Sequence, residues 1–533
     1  MTDEPTARGA DNANAPLPKW AGLAIVVLTA VVVVLLLLLA TSIMHRRWEA
    51  QRPALVAADI DEFESDNAVW GKNYEREYDA YKRQEASTVK TRYGGPFPRD
   101  YLDGDPNQVI IFAGYGFSKD YLQARGHIWA VEDISKTKRV KKPKKEGEKV
   151  FYPGTCWTCK SPDVPRKMAE FGRKQDPKET DPIKLIGLGA ADFYASNWHD
   201  LKKDIKHPIG CLDCHDPKTM ALRISRPALR EGYQAVTGRS IETATHQEMR
   251  SLVCAQCHVE YYFKGKGKYL TFPWQKGDTF AKGTSVEKMI EYYDAPNFVD
   301  TRADDPDNAP LVDFVDFVHP ISKTRIIKCQ HPDYEMFATG VHHYRNVSCA
   351  DCHMPYRSEG GMKVTDHHVQ SPLLNISNSC AVCHRWSEAE IKARVETIQD
   401  KVAAGRLRAE RAIARAHFDA AAAIQAKATD EELAPARKLI RHAQFKWDYV
   451  AANNGMGFHS PQESMRILAN AIDDAQLARL ALARLLGTKG ITAEPKYPDI
   501  STREKTDVIR KAFIAGKGPD LLPQRSGPPG PPR

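Results

Sequence analysis

Five times in this chain two residues separate a pair of cysteines, and four times a histidine directly follows the second thiol. The four are Cys211-x-x-Cys214-His215, Cys254-x-x-Cys257-His258, Cys349-x-x-Cys352-His353 and Cys380-x-x-Cys383-His384. This pattern attaches c-type haem: both thiols form thioethers with the porphyrin vinyls and the adjacent imidazole binds iron. The fifth element, Cys156-Trp157-Thr158-Cys159-Lys160, keeps the thiols but offers an amine where the others offer an imidazole. The expectation is five covalently bound haem c groups, one with Lys160 as proximal ligand, and the chemistry is expected at that one.

Zinc would need only the thiolates and gives no reason for the histidine. With 18 His in 533 residues, four such coincidences arise by chance with a probability on the order of one in a million. A disulfide across two residues makes a strained, reactive bridge rather than a staple. Ten of the eleven cysteines are haem thiols, so only Cys329 is left over. Covalent haem attachment takes place outside the cytoplasmic membrane, which sets the compartment. A net charge of +8 is mild, and no nucleic-acid module or partner is indicated.

Residues 1–20 read as a disordered polar tail. Residues 21–44 carry no charge and include Val31 to Leu39, a run of Val and Leu only. That is too long for a signal-peptide apolar region and long enough to span a bilayer. No small-x-small cleavage site follows, so an uncleaved transmembrane anchor with the body on the periplasmic side is expected. Arg46 and Arg47 on the outer side run against the positive-inside tendency; haem attachment outweighs it. Residues 45–390 are expected to form the haem core, opening with a helical lead-in that ends in the strand-like run Val109-Ile110-Ile111-Phe112. Residues 136–149, with eight basic side chains in fourteen, read as a solvated loop or a steering patch.

From 391 to 490 the chain turns Ala/Leu/Arg-rich. Ser387-x-x-Glu390, Thr429-x-x-Glu432 and Ser460-Pro461-Gln462-Glu463 are three capping boxes opening long helices, with Gly487 placed to stop the third. On the third, Leu468, Ala471, Ile472, Ala475, Ala478, Leu482 and Leu485 share one face, for intramolecular packing or a two-fold interface. Residues 491–533 form an extension ending in a disordered Pro/Gly tail. The fold class expected is mainly α: a multihaem cytochrome c core with few short strands, long C-terminal helices and one N-terminal transmembrane helix.

The chain resembles the pentahaem cytochrome c nitrite reductases, which form ammonia. The likeness runs through Ala124-Arg125-Gly126-His127, Cys156 to Lys160, and Cys254 to Tyr262. It continues through Lys328-Cys329-Gln330-His331-Pro332 and Thr365-Asp366-His367 followed by Ser371-Pro372. The resemblance implies distal iron ligands: His367 for the haem of His215, His127 for that of His258, His459 for that of His353, and His342 for that of His384. His343 and His368 are neighbouring alternatives for His342 and His367. It also implies Arg139, Tyr261 and His331 over the open face of the Lys160 haem, with Arg125 as the alternative to Arg139. Calcium is implied at Glu260 and Gln330 with the carbonyls of Tyr261 and Lys328.

The implied activity is the six-electron reduction of nitrite to ammonium, with hydroxylamine and sulfite as further substrates. The implied assembly is a homodimer through the C-terminal helices. Two features depart from the family pattern: the basic insertion at 141–145, and Cys329 where a small residue is expected. The built-in anchor leaves the donor open between a quinol-oxidising membrane cytochrome and another electron source. The alternative function is a membrane-anchored electron conduit, which needs every iron six-coordinate.

Overall fold

The computed structural model describes residues 18–50, 56–140, 150–300, 302, 303, 305, 308–359 and 362–523. The N-terminal tail, the basic insertion and the C-terminal Pro/Gly tail lie outside them. The chain divides into two units, residues 1–57 with 360–362, and residues 58–359 with 363–533.

The first unit contains helix α1, Lys19–Ala50. Its apolar part, Lys19–His45, is long and apolar enough to cross a membrane. Leu35 to Leu39 are each 57–60% exposed, so they are not spent on a protein core.

The second unit is built from short helices and loops, followed by long helices. The run Val109 to Phe112 is helical rather than extended: helix α2 spans Asn107–Ile111, and Val109, Ile110, Ile111 and Phe112 are all fully buried. A short apolar run enclosed on every side has no periodicity to tell helix from strand, and Pro106 directly before it favours the helix start. Helices α3 (Asp163–Gln175) and α4 (Pro182–Ala195) pack backbone to backbone. A Cβ on Gly189 would fall 1.8 Å from the Met168 carbonyl oxygen, and one on Gly172 would fall 2.1 Å from that of Leu185. Only glycine permits that approach.

Helices α5 (Glu388–Gln425), α6 (Asp430–Ala451) and α7 (Pro461–Thr488) pack on one another, and α8 (Arg503–Ile514) lies against α2. Ser387 and Thr429 form their capping boxes with Glu390 and Glu432. The third box does not form. Ser460 offers its carbonyl, not its hydroxyl, to Ser464, and Glu463 turns to Arg466 at 2.7 Å. Gly487 does not end α7, which runs through Thr488; Gly490, at φ +79°, takes the left-handed position. Leu468, Ala471, Ala475, Ala478 and Leu482 are fully buried inside the chain, so the predicted face is spent intramolecularly. Among the described residues the strands form four two-stranded sheets, none longer than four residues.

Candidate active site

Each cysteine pair lies on or at the end of a helical turn. The amides of His215, His258 and His384 donate to the carbonyls of Cys211, Cys254 and Cys380 at 2.9–3.0 Å. In the odd motif the turn is tighter, with the Lys160 amide on the Trp157 carbonyl at 2.9 Å. Trp157 anchors this turn. Its ring stacks on Trp198 at 4.5 Å and its indole N–H donates to the Trp198 carbonyl at 3.1 Å. The eleven cysteines form no disulfide with one another. Cys159 lies beside Cys257, and Cys254 beside Cys349, so the first, third and fourth motifs adjoin.

The histidines meet in facing pairs. Ring centroids are 6.2 Å apart for His215 and His367, 6.2 Å for His353 and His459, and 6.3 Å for His342 and His384. His343 instead packs edge-on against Phe337 at 5.3 Å, and the His368 amide donates to Asp366. His127, His258 and Lys160 are electrostatic neighbours. Burial first, then His258 and Lys160, pushes His127 down to about 4.

Several Nδ1 atoms already have partners: Met220 O for His215 (2.8 Å), Gln370 O for His353 (2.9 Å), Thr365 O for His367 (3.0 Å) and Asp333 Oδ2 for His258 (2.9 Å). Each such contact leaves Nε2 as the metal-binding nitrogen. Asp333 also accepts from the Asn454 backbone and side chain at 2.6 and 2.8 Å. Burial would raise Asp333, but His258 and its other partners hold it at about 2.

Around the lysine motif the chain gathers Arg139, Tyr261 and His331. Tyr261 stacks on Phe263 at 5.8 Å; burial and the nearby Cys159 and Cys156 raise its hydroxyl well above the usual range. Burial, then Lys160, pushes His331 down to about 3. Arg139 is a neighbour of Cys156 and Tyr152, and its Nη1 is buried with no hydrogen-bond partner among the described residues. Arg125 differs: Asp133 and Glu132 hold its guanidinium at 2.6 and 2.9 Å. Arg139, not Arg125, has charge to spare for an anion.

The four residues expected at calcium also lie close together. Glu260 is fully buried; Oε1 accepts from Tyr293 at 2.8 Å, and Oε2 from the Cys329 thiol at 3.2 Å and from the Gln330 amide. The Gln330 side chain donates to the Lys328 carbonyl at 3.1 Å. Burial lifts Glu260 to about 8, against the lowering effect of its hydrogen bonds from Gln330, Cys329 and Tyr293 and of the Lys328 charge. Beside it, the buried Lys328 ammonium pairs with Asp448 at 3.0 Å.

The family described as cytochrome c552 matches residues 66–515 of this chain. The chain belongs to the cytochrome c552 family. Cytochromes c-552 of Bacteroides fragilis and Porphyromonas gingivalis are 46% and 44% identical to it, over 92% and 93% of this chain and 91% of each relative. Its fold is similar to a cytochrome c nitrite reductase from Desulfovibrio desulfuricans, whose catalytic subunit is described by its two calcium sites. That match has a TM-score of 0.70 at 30% identity and covers 80% of this chain and 87% of the other.

A cytochrome c552 carries haem c, and the residues here fit that group. Two imidazoles bound trans to one iron have centroids about 6 Å apart, given metal–nitrogen bonds of about 2 Å on each side. The three facing pairs have this separation. Sequence reasoning missed Asp333, Tyr293 and Asp448. Asp333 follows the His331-Pro332 pair and offered a weak signal; Tyr293 and Asp448 offered none, because their partners are remote in the chain.

Proposed function

We propose that this cytochrome c552 is a membrane-anchored pentahaem nitrite reductase that forms ammonium at the haem of Lys160. The observation that carries the reading is Arg139: a guanidinium with a buried, unpartnered Nη1 beside the one thiol-pair motif that lacks a histidine. Five haems would be held by the five cysteine pairs. Four of them would be held by His215 and His367, His258 and His127, His353 and His459, and His384 and His342. When bound, these groups supply electron storage and transfer, and the one on Lys160 supplies an open iron position.

The chain's own residues account for the rest of the chemistry. Nitrite, eight protons and six electrons give ammonium and two waters. Arg139 neutralises the anion and orients an oxygen through charge-assisted hydrogen bonds. His331 is within reach of the same motif and can donate hydrogen bonds and pass protons to the departing oxygens. Tyr261 adds a hydroxyl that burial keeps protonated, so it acts as a donor to the intermediates. Lys160 would ligate as a neutral amine, having given up its proton to the solvent on binding the metal.

Glu260, Gln330 and the carbonyls of Tyr261 and Lys328 would hold calcium, which prefers oxygen donors. The cation would order the two segments that carry Tyr261 and His331. Helix α1 would anchor the body on the periplasmic face of the inner membrane, where a quinol-oxidising cytochrome is the fitting donor. A homodimer would use what α7 still exposes: Met465, Leu477 and Leu480, at 40%, 53% and 47%.

The test is nitrite consumed against ammonium formed by detergent-solubilised protein with a reduced low-potential dye. One ammonium per nitrite with six reducing equivalents supports the reading. No turnover in protein shown to hold five haems would replace it with the electron conduit.

A further inference from the structure

Two cations approach the Phe117 ring. The Arg139 guanidinium carbon lies 4.1 Å from its ring centroid, and Lys328 Nζ lies 4.8 Å from it. The ring cannot drift, because it belongs to a packed aromatic column. Phe117 stacks on Tyr115 at 5.8 Å, and Tyr115 stacks on Phe317 at 4.8 Å. Tyr121 meets Phe117 edge-on at 4.8 Å, and Phe112 lies 5.9 Å away. Gly116 completes the floor: a Cβ there would fall 3.0 Å from Arg139 Cγ.

Among the described residues no carboxylate pairs with Arg139. A carboxylate partner, such as Asp133 supplies to Arg125, fixes the guanidinium but cancels its charge and occupies its donors. An aromatic face attracts the cation through its quadrupole and leaves all N–H groups and the full charge available. The second arrangement suits an arginine that must receive an anion. Lys328 touches the same ring and is itself locked by Asp448, so the ring also ties Arg139 to the segment carrying Gln330 and His331.

We propose that Phe117 is a positioning residue for nitrite binding: it holds Arg139 without neutralising it and sets it against the Lys328–His331 segment. The inference rests on the nitrite reductase reading and deepens it. Nitrite is an anion, whereas hydroxylamine is uncharged at neutral pH, so only nitrite needs the Arg139 charge.

The test compares wild type, Phe117→Leu and Phe117→Tyr as full-length holoenzymes with matched haem content. For Phe117→Leu the expected result is a KM for nitrite raised about five- to thirtyfold, the range of a desolvated cation–π contact. The nitrite dissociation constant of the oxidised protein, from spectral titration, should rise in parallel. Hydroxylamine kcat/KM should stay within about twofold, and Phe117→Tyr, which keeps the π face, should restore nitrite binding. Should Phe117→Leu fail to take up haem, Phe117→Met makes the same comparison with an unbranched side chain and no π face. Equal losses on both substrates, or an unchanged nitrite constant, would overturn the proposal. Wild-type protein unable to reduce nitrite would instead overturn the function on which it rests.

Discussion

The Cys329 thiol donates to Glu260 Oε2 at 3.2 Å, both side chains fully buried. The contact gives the eleventh cysteine a role, since it supplies one of the few donors to a carboxylate that burial has already lifted to about 8. Cys329→Ala should cost about 0.5–1.5 kcal/mol, the net worth of one hydrogen bond, since the Gln330 amide still donates to Oε2. Cys329→Ser keeps a donor and should cost less. Thermal melting at a fixed scan rate separates them, and equal melting temperatures for all three proteins would remove this role.

Chelation tests the neighbouring oxygen donors. Treatment with a calcium chelator should lower the melting temperature and nitrite turnover together, with calcium restoring both and magnesium doing so poorly, since magnesium keeps its waters. Glu260→Gln should leave the protein indifferent to the chelator. A wild-type protein that the chelator does not affect would show that Glu260 and Gln330 hold no calcium.

Lys160→His converts the odd motif into a fifth C-x-x-C-H. Haem content should be retained while turnover falls at least about tenfold, the scale on which ligand surroundings tune a metal. The measurement is haem per protein together with nitrite kcat. Unchanged kcat would show that lysine is not what distinguishes this haem.

His367 faces His215 at 6.2 Å, whereas its neighbour His368 uses its backbone amide on Asp366. His367→Ala should therefore convert one low-spin haem to high-spin in the electron paramagnetic resonance spectrum. His368→Ala should not. The same contrast is expected between His342→Ala and His343→Ala, and high-spin signals from the wrong member of either pair would reassign the ligand.

His417 titrates away from the haem motifs. It stacks on His319 at 3.7 Å, and its ring nitrogens meet Ser322 Oγ and Gln444 Oε1 at 2.8 and 2.9 Å. Burial pushes it from 6.5 down to about 4. Between those values the unfolded chain binds a proton that the folded chain refuses, so stability falls as pH drops through the window. The loss is fully developed below about pH 4 and amounts to about 3 kcal/mol for one such histidine. His417→Gln should flatten the melting-temperature profile between about pH 6.5 and 4.5 relative to wild type, and an identical slope would contradict the assignment.

Local chemistry was legible in the sequence. The cysteine pairs, the four histidines that follow them and Lys160 could be read because each motif is written within five consecutive residues. The capping boxes at Ser387 and Thr429 were legible for the same reason, and the apolar α1 by length and composition alone. Reading failed where the environment decides. Val109 to Ile111 are helical, and their enclosure on every side removes the periodicity that would have said so. Ser460 is uncapped because Arg466 takes the Glu463 carboxylate that the box required. Gly490 rather than Gly487 takes the left-handed position past the end of α7.

By itself, then, the sequence determined that five thiol pairs stand two residues apart, and that one motif of five carries a lysine where the rest carry a histidine. Tertiary structure alone decided which distant imidazole faces which, that Arg125 is spent on Asp133 while Arg139 rests on Phe117, and that Cys329 reaches Glu260. Facing pairs and cation–π contacts depend on centroid distances between segments remote in the chain, and no spacing along the backbone encodes those distances.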